Sequence, residues 1–170
     1  MSEEIKGKRV AVMVANEGVE QIEMTAPIEA LKNAGAEVDL IAPEHGEVQA
    51  FNHLDKADTF RVDHSLGEVN SGDYAALVLP GGVANPDQLS TEPKAIKFVT
   101  DFFSEGKPVA AICHAPWTLV EADVVQGRTL TSWPSLKTDI ENAGGLSDGH
   151  TSADDRSEER RVGQDGDRGC

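Results

Sequence analysis

Four short apolar runs restrict this chain more than any other feature: Val10 to Ala15 (VAVMVA), Glu37 to Ala42 (EVDLIA), Tyr74 to Leu79 (YAALVL) and Val109 to Ile112 (VAAI). Three are apolar almost without interruption, as expected for strands buried on both faces. Helical stretches alternate with them. Val19 to Asn33 reads as a helix with Gly35 at its stop, and Pro93 to Glu105 carries Ala95, Phe98, Val99 and Phe102 at helical spacing. A short helix over 116–122 opens with Pro116, a residue suited to a first turn. Residues 44–72 are polar and turn-rich, with short strands expected near Val48 and Phe60. The pattern predicts an α/β fold with a parallel sheet covered on both faces. Sites in such sheets form at the carboxyl ends of the strands, where loops 16–23, 80–88 and 113–117 converge.

Length and charge remove several functional classes. A chain of 170 residues fits one domain with a sizeable core. Its 30 acidic residues against 15 basic ones leave a formal net charge of −15. That argues against nucleic acid or an anionic membrane as a partner, since both require a positive face. No apolar stretch approaches the ~20 residues of a membrane span. The start, MSEEIKGKRV, lacks the apolar segment of a secretory signal, so a cytoplasmic location is expected. Two cysteines, Cys113 and Cys170, are too few for a disulfide framework. His45, His53 and His64, with Asp55 and Asp63, are too irregularly spaced to suggest a metal site, and no cofactor or metal is expected.

Cys113 is the chemical centre of the reading. In PVAAICHAPWT the buried strand ends abruptly at Cys113, followed by His114, Ala115 and Pro116. A thiol at such a strand-to-helix turn is held out over the sheet edge beside free backbone N–H groups. It needs activation, by an acid, a histidine or a helix N-terminus. Glu20 and Glu23 lie three residues apart in the first loop, on one face of a helical turn, within reach of that thiol in the proposed fold. A protonated Glu there could donate to a thiolate and would have a raised pKa. Gly82 and the backbone after Cys113 are candidates for an oxyanion hole. His114 is open between a catalytic role and a structural one, because sequence neighbours on a helix do not face each other. Trp117 and Trp133 read as packing residues near the site.

These segments resemble a known family. AICHAP after an apolar strand, LVLPGG one unit earlier, ANEGVEQIEMTAPIEALKNAG near the start and GRTLTSWPSLKTDIENAG afterwards are similar to the DJ-1/PfpI superfamily, in particular its PfpI-like branch of intracellular proteases and general stress proteins. The resemblance covers about residues 8 to 145. It implies a flavodoxin-like sheet sandwiched by helices, related to class I glutamine amidotransferases, and a homodimer or larger assembly. It also implies Cys113 as nucleophile, Glu23 as its supporting acid, His114 as the histidine after the cysteine, and Glu20 as a second acid of the loop. Asp87 falls near the position of an acid supplied by a neighbouring subunit, with Asn85 as an apparent insertion. The function implied is a stress-response protein whose cysteine attacks carbonyl substrates: a peptide bond, or glyoxal-type aldehydes and their adducts. The alternative is a redox sensor or chaperone-like protein that uses oxidation of the same cysteine. A glutamine amidotransferase would need a downstream histidine, and only His150 is available.

The resemblance stops near Gly145. Residues 146–170 form a polar stretch whose only sizeable aliphatics are Leu146 and Val162, and most of it is expected to be disordered or ordered only by a partner. A change of reading frame near Gly145 would account for the switch. Resequencing the gene across that codon tests it, and an intact frame removes the idea.

Overall fold

A computed structural model describes residues 2–148 and 161–162. Its strands are β1 Arg9–Met13, β2 Glu17–Glu20, β3 Glu37–Ala42, β4 Glu47–Asn52, β5 Asp55–Arg61, β6 His64–Ser65, β7 Ala76–Leu79, β8 Val109–Ala111, β9 Thr129–Leu130, β10 Leu146–Ser147 and β11 Arg161–Val162. Its α-helices are α1 Ser2–Ile5, α2 Gln21–Asn33, α3 Ala84–Ser90, α4 Pro93–Ser104, α5 Pro116–Glu121 and α6 Lys137–Asn142. The main sheet has the order β11-β8-β7-β1-β3-β6, and its pairs are parallel except for β11, which runs antiparallel to β8. This is the expected α/β sandwich.

Strand periodicity builds its layers. Along β1, side chains alternate between two cores: Ala11, Met13 and Ala15 enter one, Val10, Val12 and Val14 the other. The first core is closed by Leu89 of α3, the Ala95, Phe98, Val99 and Phe102 stripe of α4, Leu119 of α5 and Ile140 of α6. The second is closed by Met24 of α2 and by Val19, Val48 and Ala50 of a smaller sheet, β2-β4-β5. Both faces of β1 are therefore dry, which is why its run reads as continuously apolar.

The chain leaves β1 toward β3 on one side and later returns to place β7 on the other. Loops after β1 and β7 consequently diverge at a topological switch point, opening a crevice at the carboxyl edge of the sheet. The site lies there.

Two expectations are corrected. The first helix begins at Gln21 rather than Val19, because Glu17–Glu20 pairs with β4 as a strand and Val19 is buried in that register. The strands near Val48 and Phe60 are longer than expected and form one hairpin, in which Val48 and Phe60 face each other. Within the polar C-terminal stretch, Leu146–Ser147 pairs with β9 and Arg161–Val162 adds to the main sheet. The expectation of disorder for 149–160 and 163–170 lies outside the described residues. Among the described residues no helix is long and apolar enough to cross a membrane.

Candidate active site

Cys113 follows β8 directly. The Ile112 N–H still donates to the Leu79 carbonyl at 3.1 Å, and then the chain turns sharply. Cys113 has φ of 59°, in the left-handed region that non-glycine residues rarely adopt. The turn is held from both sides. The Ala115 N–H donates to the Ile112 carbonyl at 2.9 Å, and the Trp133 N–H donates to the Cys113 carbonyl at 2.8 Å. Strain of this kind persists only when the surroundings enforce it, and here it swings the thiol off the sheet into the crevice.

Glu23, in the first turn of α2, meets the thiol there. Its Oε2 accepts a hydrogen bond from the Gly81 N–H at 2.9 Å, and its carboxyl is hydrogen-bonded to Cys113. The amide of Gly82 is a partner of both Glu23 and Cys113, and the His114 amide is a second backbone donor to the sulfur. Gly81 cannot carry a side chain. A Cβ there would lie 2.7 Å from that of Cys113 and would collide with the Glu23 carboxyl. Gly82 has φ of 86°, and a Cβ would lie 2.8 Å from the Glu20 backbone nitrogen. The Pro-Gly-Gly turn thus both permits the bend and admits thiol, carboxyl and backbone into one space.

The electrostatics follow from that crowding. Burial raises the Glu23 carboxyl above its ordinary value, against the lowering effect of its hydrogen bonds to Cys113, Gly81 and Gly82. Burial and then the Glu23 charge push the Cys113 thiol up to about 12, opposed by the Gly82 and His114 amides. Two acids in contact cannot both ionise cheaply, so the pair titrates as a unit and the two groups compete for a shared proton. Thiolate forms when Glu23 takes up that proton.

His114 is buried, and its Nδ1 lies 3.1 Å from the Cys113 sulfur. The left-handed Cys113 backbone makes this possible for neighbours in sequence. Its ring stacks on Trp133, with centroids 5.3 Å apart and planes at 25°. Burial lowers its pKa from the usual 6.5, so the imidazole is neutral at pH 7 and can accept or donate a proton at the sulfur.

Two other candidates sit elsewhere. Glu20 ends β2, and its Oε2 accepts from the His53 N–H at 3.0 Å in the β4–β5 turn. It does not share a helical face with Glu23, because the helix starts one residue later. It acts on Glu23 only through its charge, which raises that carboxyl further. Asp87 is exposed on α3 and lines a separate cavity of about 450 Å³ with Trp117 and Asp139, a lining that includes neither Cys113 nor His114. The helix opening at Pro116 is only six residues long and adds little dipole.

One contributor was not legible as such. Asn85, the apparent insertion, is fully buried and bonded to the loop that carries Gly81. Trp133, expected to pack near the site, is a ring partner of His114 from 19 residues downstream. Among the described residues no three His, Cys, Asp or Glu side chains are placed to hold a metal ion. His45 pairs with Glu68 and His64 with Asp39 instead.

Comparison with known proteins places the chain in a family. The DJ-1/PfpI family matches residues 8–162. General stress protein 18 of Bacillus subtilis is 39% identical over 138 residues, covering 81% of this chain and 78% of that one. A deglycase of Pyrococcus horikoshii is 40% identical over 136 residues, covering 80% and 78%. Protein/nucleic acid deglycase 2 of Escherichia coli is 38% identical over 137 residues, covering 81% and 77%. Among solved structures, a two-domain Anabaena variabilis protein with DJ-1/ThiJ/PfpI-like and ferritin-like domains superposes with a TM-score of 0.77 at 30% identity. That match covers 82% of this chain and 39% of the other.

Proposed function

The chain belongs to the DJ-1/PfpI family, and from that premise we propose that it is a cysteine-dependent enzyme acting on reactive carbonyls, glyoxal-type aldehydes and their early adducts. The observation that carries the reading is the contact set of one atom. The Cys113 sulfur faces a carboxyl of raised pKa, a neutral imidazole nitrogen and two backbone amides. The similarity to proteins named as deglycases favours aldehyde adducts over a peptide bond as substrate.

In the mechanism, Glu23 takes the thiol proton as sulfur attacks the carbonyl carbon. A C–S bond forms, the C=O π pair moves to oxygen, and the Gly82 and His114 amides receive the developing charge. The proton passes to that oxygen from Glu23 or through His114, leaving a neutral hemithioacetal. Glu23 ends as the carboxylate it began as, and no new charge is created, which suits a half-buried site.

Assembly is part of the same proposal. Ile22, Val83 and Trp133 are exposed at 63%, 60% and 38%, beside Glu23, Gly82 and His114. An apolar rim around the site suits a second copy, which would also give Asp87 a route to a neighbouring Cys113.

The test is consumption of methylglyoxal with product analysis. Turnover that disappears in Cys113→Ala supports the reading. No turnover, together with selective oxidation of Cys113 to the sulfinic acid by mild peroxide, replaces it with the sensor.

A further inference from the structure

Asn85 lies in the first turn of α3 and is wholly shielded from solvent. Its Oδ1 accepts from the Ala15 N–H at 2.6 Å. Its Nδ2 donates to two carbonyls, Pro80 at 2.8 Å and Gly81 at 3.2 Å. One carboxamide therefore ties the end of β1 to the loop after β7, the two segments that border the crevice. The Gly81 carbonyl accepts a further, longer bond from the Glu20 N–H at 3.4 Å.

The consequence lies across the peptide bond. No cis peptide is present among the described residues, and in a planar trans unit the C=O and the following N–H point in opposite directions. Holding the Gly81 carbonyl toward Asn85 aims the Gly82 N–H the other way, where Cys113 and Glu23 are its partners. Gly-Gly is the dipeptide least able to fix this orientation unaided, since each residue populates both signs of φ. Something else must stop the unit from flipping.

We propose that Asn85 is a positioning residue that locks the Gly81–Gly82 peptide, so that the Gly82 N–H faces the Cys113 sulfur and any negative charge that forms beside it. It touches no reacting atom. An apolar side chain of similar size could fill the space, but it would leave the Ala15 N–H and the Pro80 carbonyl without the bonds Asn85 makes, and the Gly81 carbonyl held only by the longer bond from the Glu20 N–H. The importance of this device for turnover rests on the reading of Cys113 as the attacking thiol. The device itself is testable without substrate.

The experiment is the rate of Cys113 alkylation by iodoacetamide against pH, read by mass spectrometry of the Cys113 peptide. Wild type is compared with Asn85→Ala and Asn85→Ser, with circular dichroism to establish folding. Loss of a hydrogen bond to a charged sulfur predicts a profile displaced to higher pH, with alkylation at pH 8 slowed about tenfold. Folded variants whose profiles coincide with wild type, even at a lower Tm, overturn the proposal, because a purely structural role moves only the Tm. Should neither variant fold, the 15N-labelled wild type decides. The Asn85 side-chain amide and the Gly82 amide must shift in step with Cys113 ionisation, and an Asn85 amide that ignores the titration overturns it. Because no step uses substrate, failure of the carbonyl reading would leave this result intact, and the reverse also holds.

Discussion

The Glu23 carboxyl is hydrogen-bonded to the Cys113 thiol, and the Gly81 N–H, 2.9 Å from Oε2, holds the carboxyl in that position. Both groups are acids, both are shifted upward, and they compete for one proton.

Glu23→Gln removes the proton acceptor but keeps an oxygen for the Gly81 N–H. Loss of a positioned acid–base group predicts turnover lower by about 100-fold or more. Stability should move the other way. A carboxyl whose folded pKa is raised favours folding below the ordinary carboxylate value of 4.5, and that advantage is lost as pH rises through its folded pKa. The Tm of Glu23→Gln should therefore exceed wild type by more at pH 8 than at pH 4, read by thermal melts at both.

His114 gives the opposite slope. Its folded pKa is lowered by burial, so the unfolded chain protonates first and stability falls as pH drops below about 6.5. Denaturant titrations at pH 7.5 and 5.5 should show that loss, and it should be reduced in His114→Gln. Trp133→Ala uncovers the ring, raising the His114 pKa toward its ordinary value by imidazole NMR and costing ~1 kcal/mol of stacking.

Gly81→Ala tests the space at the centre of the site. The added Cβ meets Cys113 and Glu23 together, so both must move. Overpacking predicts a loss of about 1–3 kcal/mol, with loss of Cys113 reactivity in whatever remains folded. An alanine variant with normal alkylation kinetics would contradict the described packing.

How much of this was readable from the sequence depends on whether the signal was local. The buried strands showed themselves as apolar runs because both faces of β1, β3 and β7 are covered, and α4 showed itself by its stripe. The turn at Cys113 was legible from a strand that ends in Cys-His-Ala-Pro. Glu20 was misplaced, because Val19 and Glu20 sit inside a helical-looking segment and yet pair with β4. That choice is made by a hairpin about 30 residues away, not by helix propensity. Asn85 looked like a surplus residue, since its partners, Ala15, Pro80 and Gly81, converge only in three dimensions.

The central claim, that the Cys113 sulfur attacks an aldehyde carbon with Glu23 taking its proton, is tested most directly by protection. Cys113 alkylation by iodoacetamide is followed with increasing methylglyoxal, with glutathione in the same tube as a reference thiol. The account predicts that methylglyoxal shields Cys113 at concentrations that leave glutathione fully reactive, and that this preference vanishes in Glu23→Gln. Cys113 alkylated at an undiminished rate, or shielded no better than glutathione, would contradict it.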